Sequence, residues 1–247
     1  HLSGNTKQPT APATITSHPV LPLPLLGTYF SGQPMLTAAQ EAVLGKPVFH
    51  HAALELHLYS ASWQAELDQA AAQHIKLELL LFFDDYEEEL PVFLEYIRHI
   101  AGEIYAILLL GAHSEATPPG LMKMGYDVIK AAYPFIKVGY GTYGHFAELN
   151  RNRPGSLPHD FVSFGLTPRV HAEDARSLLE SLECQPDIIR TIRSFTGKDI
   201  YVTPLSFNRR GGEVKESESM FAAEWTLRSV RQLRGAASVT VAFCAGR

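Results

Sequence analysis

The segment Glu148-Leu149-Asn150-Arg151 sets a carboxylate, a carboxamide and a guanidinium within four residues. A carboxylate can take a proton from water, and a guanidinium's planar fork can hold a carbonyl or carboxylate oxygen, so this group suits hydrolysis of an oxygen-rich substrate. His171 adds an imidazole able to act as acid or base near neutral pH. Glu115 is a second candidate catalytic carboxylate, with Glu148 favoured over it as the group that activates water. Asp84, His113, Tyr143, Arg169 and Asn208, together with Asn150 and Arg151, are the candidate substrate contacts. Each has a structural alternative. Glu148 and Arg151 can form an i,i+3 ion pair on a short helix, and His171 and His113 can brace loops. Asp84, His113, Glu115 and His171 include metal-ligand types, but their spacing matches no recognised ligand pattern, so neither a metal nor a cofactor is expected.

These residues share a position relative to the elements that must carry them. Eight short apolar runs alternate with helical patterns: Leu25–Phe30, Ala53–Tyr59, Lys76–Phe83, Tyr105–Leu110, Ile136–Gly141, Phe161–Leu166, Ile200–Leu205 and Ser238–Phe243. Between them, helices are predicted over Ser62–His74, Glu87–Ala101, Gly120–Ala132, Ala175–Phe195 and Ser219–Arg234. The rhythm predicts α/β architecture, a closed (β/α)8 TIM barrel, with an open doubly wound sheet as the alternative. No glycine-rich nucleotide loop follows the first run, which weighs against dinucleotide binding. In such barrels the chemistry sits at the C-terminal strand ends, where the candidates above fall.

Some polar residues lie inside the runs. Glu55 and His57 alternate with leucines, as does Glu78, so their side chains are expected to point into the barrel while the leucines meet the helices. They read either as a structural polar layer beneath the site or as its floor, and a buried carboxylate requires a partner.

The chain of 247 residues is 46% hydrophobic and 19% charged, enough for one sizeable core. Residues 1–24, rich in Pro, Thr, Ser and Ala, read as an irregular arm, and 25–247 as a single barrel domain. The net charge of −5 and the absence of a basic patch argue against nucleic acid or anionic membrane as a partner. The longest apolar run, Ile104 to Ala112, is about half of what a spanning helix needs. No leader pattern is evident, so a cytoplasmic location is expected; a secreted or periplasmic one stays open because the sequence begins at His1. Cys184 and Cys244 read as free, mostly buried thiols.

The stretch Phe146-Ala147-Glu148-Leu149-Asn150-Arg151-Asn152-Arg153-Pro154, followed by Asp160-Phe161-Val162-Ser163, resembles the barrel domain of D-apionate lactonases. The segments Pro168–Ala172, Ser177–Glu183, Phe221–Leu227 and Ala237–Thr240 extend the resemblance over nearly everything from residue 25 onward. It implies a barrel related in architecture to glycoside hydrolases and hydrolysis of a sugar-acid lactone, without a cofactor. Glu148 would be the leading carboxylate, Asn150 and Arg151 substrate or oxyanion contacts, and His171 a second polar group. The family carries a glutamate soon after the eighth strand, whereas Val241–Arg247 has none. Flanking domains accompany the family's barrels, and this sequence reads as the barrel alone. Two alternatives therefore stand beside the lactonase. One is a glycoside hydrolase using Glu115 and Glu148, with carboxyl groups about 5 Å apart for retention or about 6.5–9.5 Å for inversion. The other is a degenerate barrel that binds carbohydrate without turnover.

Overall fold

A run such as Lys76–Phe83, reading Lys-Leu-Glu-Leu-Leu-Leu-Phe-Phe, is too continuously apolar for a strand with one wet face, and must be covered on both sides. The computed structural model describes residues 21–29, 49–170, 173–208 and 220–242, and supplies that cover. The described strands are β1 (Leu25–Tyr29), β2 (His51–His57), β3 (Lys76–Phe83), β4 (Ile104–Gly111), β5 (Lys137–His145), β6 (Phe161–Leu166), β7 (Asp199–Ser206) and β8 (Ser238–Ala242). All neighbours pair in parallel in chain order, and β1 closes onto β8 through Leu25–Ser238 to Thr28–Val241. This is a closed (β/α)8 barrel, not an open sheet.

The helices among the described residues are α1 (Trp63–Ala71), α2 (Tyr86–Tyr96), α3 (Pro119–Ala132), α4 (Phe146–Arg151), α5 (Ala175–Glu180), α6 (Gln185–Arg193) and α7 (Met220–Gln232). In α1, Trp63, Leu67 and Ala70 recur at helical spacing and are the buried face. The acidic run Glu87–Glu89 opens α2, where Asp85 accepts the backbone N–H groups of Glu87 and Glu88 at 3.1 and 3.3 Å. Those charges suit the positive end of the helix dipole.

The core divides as strand alternation requires. Leu54, Leu56, Leu77, Leu79, Leu81, Ile107 and Leu109 pack outward against the helices, while Ala53, Leu80, Phe82, Leu108, Leu110, Phe161 and Tyr201 fill the barrel. Small residues make room for large ones across the interior: a Cβ on Gly139 would overlap the Phe161 ring, which stacks on Tyr201 with centroids 4.0 Å apart.

Several expected boundaries move. The predicted helix Ala175–Phe195 is two helices, because Pro186 has no N–H for the ladder and is tolerated only in the first turn of α6. Cys184 lies in the turn between them and is exposed rather than buried, its thiol donating to the Ser181 carbonyl at 3.1 Å. The fifth strand runs on to His145, so Thr142 and Tyr143 belong to the strand itself. Cys244 lies outside the described residues. Among the described residues, no helix is long and apolar enough to cross a membrane.

Candidate functional site

The inward residues of β2 are His51, Ala53, Glu55 and His57, and they meet two different environments. Low in the barrel, His51 and Glu78 are both completely buried, with His51 Nε2 3.0 Å from Glu78 Oε2. Thr240 donates to that same oxygen at 2.7 Å, and Thr203 donates to Glu78 Oε1 at 2.8 Å. Glu78 is thus satisfied by groups from β2, β7 and β8, as a buried carboxylate must be. The His51 ring fits only because β1 has Gly27 beside it, where a Cβ would overlap the imidazole. Tyr201 donates to the Tyr105 hydroxyl at 2.6 Å, and burial pushes the Tyr201 phenol far above its ordinary pKa.

At the C-terminal mouth the surroundings open. Glu55 Oε1 accepts the Tyr29 hydroxyl from β1 at 3.2 Å and a short hydrogen bond from the Tyr143 hydroxyl on β5. His57 Nε2 stands 3.9 Å from Glu55 Oε2, and His57 Nδ1 pairs with the Tyr59 hydroxyl at 2.7 Å. The His57 ring stacks on Phe82 (centroids 4.7 Å, planes 17° apart), and Phe82 meets Tyr143 edge-on at 5.3 Å.

The rim carries the residues singled out from sequence. Glu148 sits in the first turn of α4, where its Oε2 accepts the His145 N–H at 2.8 Å in a capping box. At about 100° per residue, the short helix turns Asn150 well away from Glu148. The Asn150 amide oxygen accepts two N–H bonds from Arg153, whose guanidinium lies 4.7 Å from the Phe195 ring centre. Arg151 is exposed. Glu115 is also exposed, and the Thr142 hydroxyl donates to its carbonyl at 2.5 Å, tying the loop after β4 to β5.

Asp84 and His113, just beyond β3 and β4, are exposed and approach to 3.1 Å. Glu89 accepts the Asp84 N–H at 3.1 Å; burial and then the negative charge of Asp84 and Asp85 raise its pKa, against the pull of backbone hydrogen bonds. Arg169 stacks on Phe207 at 5.0 Å, and Asn208 is buried where β7 ends, its carbonyl accepting the Ser206 hydroxyl at 2.7 Å. His171 lies outside the described residues. Tyr143 and Glu55 therefore meet in the mouth, Asp84 and His113 pair on one side of the rim, and Glu148 and Glu115 flank the end of β5.

The D-apionate lactonase TIM barrel domain family matches residues 31–212. The chain belongs to that family. The D-apionate lactonase of Brucella anthropi is 34% identical over 116 residues, which cover 42% of this chain and 19% of that protein. The matched region thus spans about a fifth of that relative. Among solved structures, a modular endo-β-1,4-mannanase from Cellulomonas fimi superposes with a TM-score of 0.57 at 13% identity, covering 91% of this chain and 66% of the mannanase. A broad-specificity endoglucanase from an uncultured bacterium gives a TM-score of 0.56 at 10% identity, covering 88% of this chain and 85% of the enzyme. At those identities the likeness is one of fold.

Within this lactonase-family barrel, sequence reasoning placed Glu55 and His57 in the interior but did not separate them from Glu78. Tyr29 and Phe82 passed unnoticed, because each reads as an ordinary apolar strand residue. The period-two alternation around Glu55 was the available signal; the height of each residue along the barrel axis was not in it. Among the described residues, no group of three or more His, Cys, Asp or Glu side chains is placed to hold a metal ion.

Proposed function

We propose that this barrel hydrolyses the ring ester of a sugar-acid lactone. Its membership of the lactonase barrel family carries the proposal. Support comes from the carboxylate of Glu148, fixed at the C-terminal end of β5 by its bond to the His145 N–H. In this reading Glu148 takes a proton from water, and the resulting hydroxide adds to the lactone carbonyl. Arg151 or His171 stabilises the oxyanion, and collapse of the tetrahedral intermediate breaks the ring C–O bond and returns the proton to the leaving alkoxide. The products balance as one hydroxy acid from lactone plus water. The substrate class is a small sugar-acid lactone held by rim residues such as Asn208, Arg169, Asp84 and His113.

The test compares wild type with Glu148→Gln on a panel of aldonolactones and apionolactone. Glutamine retains an oxygen that can cap α4 but is no base, so hydrolysis should fall by about 100-fold or more with the fold intact. Equal rates would remove Glu148 from the mechanism. A two-carboxylate glycosidase is the second reading, with Glu115 and Glu148 following the neighbouring strands β4 and β5. Release of nitrophenol from nitrophenyl glycosides, lost in both Glu115→Gln and Glu148→Gln, would select it.

A further inference from the structure

The barrel holds two inward carboxylates on adjacent strands, and they differ in one decisive respect. Glu78 is completely buried and enclosed by His51, Thr203 and Thr240, whereas the Glu55 side chain is 16% exposed and its neighbour His57 is 40% exposed. Glu78 is a sealed structural group. Glu55 faces the mouth, where barrel chemistry is done.

The hydroxyl of Tyr143 comes from β5, three strands around the barrel from β2, so the side chain has crossed the mouth to reach Glu55. Together with Tyr29 from β1 it ties the Glu55 carboxyl group of β2 to two other strands. Around it stand the stacked faces of His57 and Phe82 and the edge-on Tyr143. A partly exposed imidazole beside a carboxyl group held by two tyrosines suits a ring with hydroxyl groups on its edge.

We infer that Glu55 and His57 recognise a hydroxyl group of the substrate ring. The 3.9 Å between His57 Nε2 and Glu55 Oε2 is too long for a direct hydrogen bond and wide enough for an oxygen about 2.8 Å from each. The 2.7 Å contact between His57 Nδ1 and the Tyr59 hydroxyl suits either tautomer, and in the one where Nδ1 accepts the Tyr59 proton the ring proton sits on Nε2. A substrate hydroxyl then accepts from His57 and donates to Glu55. Tyr29 and Tyr143 are positioning residues that fix the carboxylate. This rests on the proposal of a hydroxylated lactone substrate and adds the residues that select it.

The test uses the full chain and two rings that resist hydrolysis: a γ-lactam carrying two ring hydroxyls, and the bare lactam, pyrrolidinone. Ligand-observed NMR titration should show wild type binding the hydroxylated ring about ten-fold or more tighter than the bare one, because a site built to bind a hydroxyl rejects the analogue lacking it. Glu55→Gln should bring that ratio to within about two-fold. His57→Gln, at a more exposed position, should lower the ratio as well and serves if Glu55→Gln fails to fold. An unchanged ratio in the folded variants, or a wild type that binds neither ring, would overturn the inference. The lactonase proposal fails separately: wild type would then turn over no lactone while the hydroxyl preference persisted.

Discussion

Thr240→Val is a near-isosteric change that deletes one donor to a carboxylate with no access to water. The Thr240 hydroxyl lies 2.7 Å from Glu78 Oε2, the oxygen that also faces His51 at 3.0 Å. A hydrogen bond to a charged group contributes about 1.5–3 kcal/mol, and no solvent can replace it here because Thr240 and Glu78 are completely buried. The variant should lose that amount, a fall in Tm of roughly 3–12 °C for a domain of this size. His51→Leu should cost more, about 3–5 kcal/mol, since it leaves the carboxylate without its cationic or N–H partner. Adding Glu78→Met to His51→Leu should recover much of that loss, because the penalty belongs to the stranded charge and not to the missing pair. Urea denaturation followed by far-UV circular dichroism gives the midpoints, with an unchanged m-value showing that stability alone has moved. A Thr240→Val midpoint within about 0.5 kcal/mol of wild type, or a double variant less stable than His51→Leu, would refute the reasoning.

Other expectations follow from the same geometry. Glu148→Ala should lose about 1 kcal/mol that Glu148→Gln retains, because only alanine removes the oxygen that accepts the His145 N–H; equal stabilities in urea would count against the capping role. Gly27→Ala should cost about 1–3 kcal/mol or more by driving a methyl group into the His51 ring, and a melting temperature equal to wild type would show that the ring can move aside. Burial holds the imidazoles of His50 and His159 below the ordinary histidine pKa, helped in His50 by the positive charge of its neighbours and opposed in His159 by its bond to the Leu157 carbonyl. The unfolded chain therefore binds protons first, so stability is fullest above about pH 6.5 and falls as pH drops below it toward the folded values. His159→Gln should flatten that fall in urea midpoints taken between about pH 8 and pH 5; an unaltered slope would exclude His159 as a source.

The barrel was legible because its signal is repeated. Eight apolar runs separated by amphipathic helices leave few other ways to cover both faces of a parallel sheet. The rim was legible only in outline. Once the strand ends are known, the polar residues beyond them are the candidates, but their side-chain roles depend on local turns. Glu148 and Asn150 are neighbours in sequence, yet a single turn of α4 sends one to the helix N-terminus and the other to Arg153. The predicted long helix over Ala175–Phe195 failed at Pro186, where the loss of one backbone donor outweighed a continuous apolar pattern.

Sequence alone determined which residues face inward, since alternation in a strand is a covalent consequence of the extended backbone. By that rule Glu55, His57 and Glu78 belonged to the interior before any contact was seen. Tertiary structure decided which of them meets water. Closure of β1 onto β8 brings Thr240 beside His51 and seals Glu78 in the barrel, while Tyr143 reaches across from β5 to hold Glu55 at the mouth. Those contacts join residues 88 to 189 positions apart, and their geometry is set by the stagger of the strands around the closed barrel rather than by any local pattern.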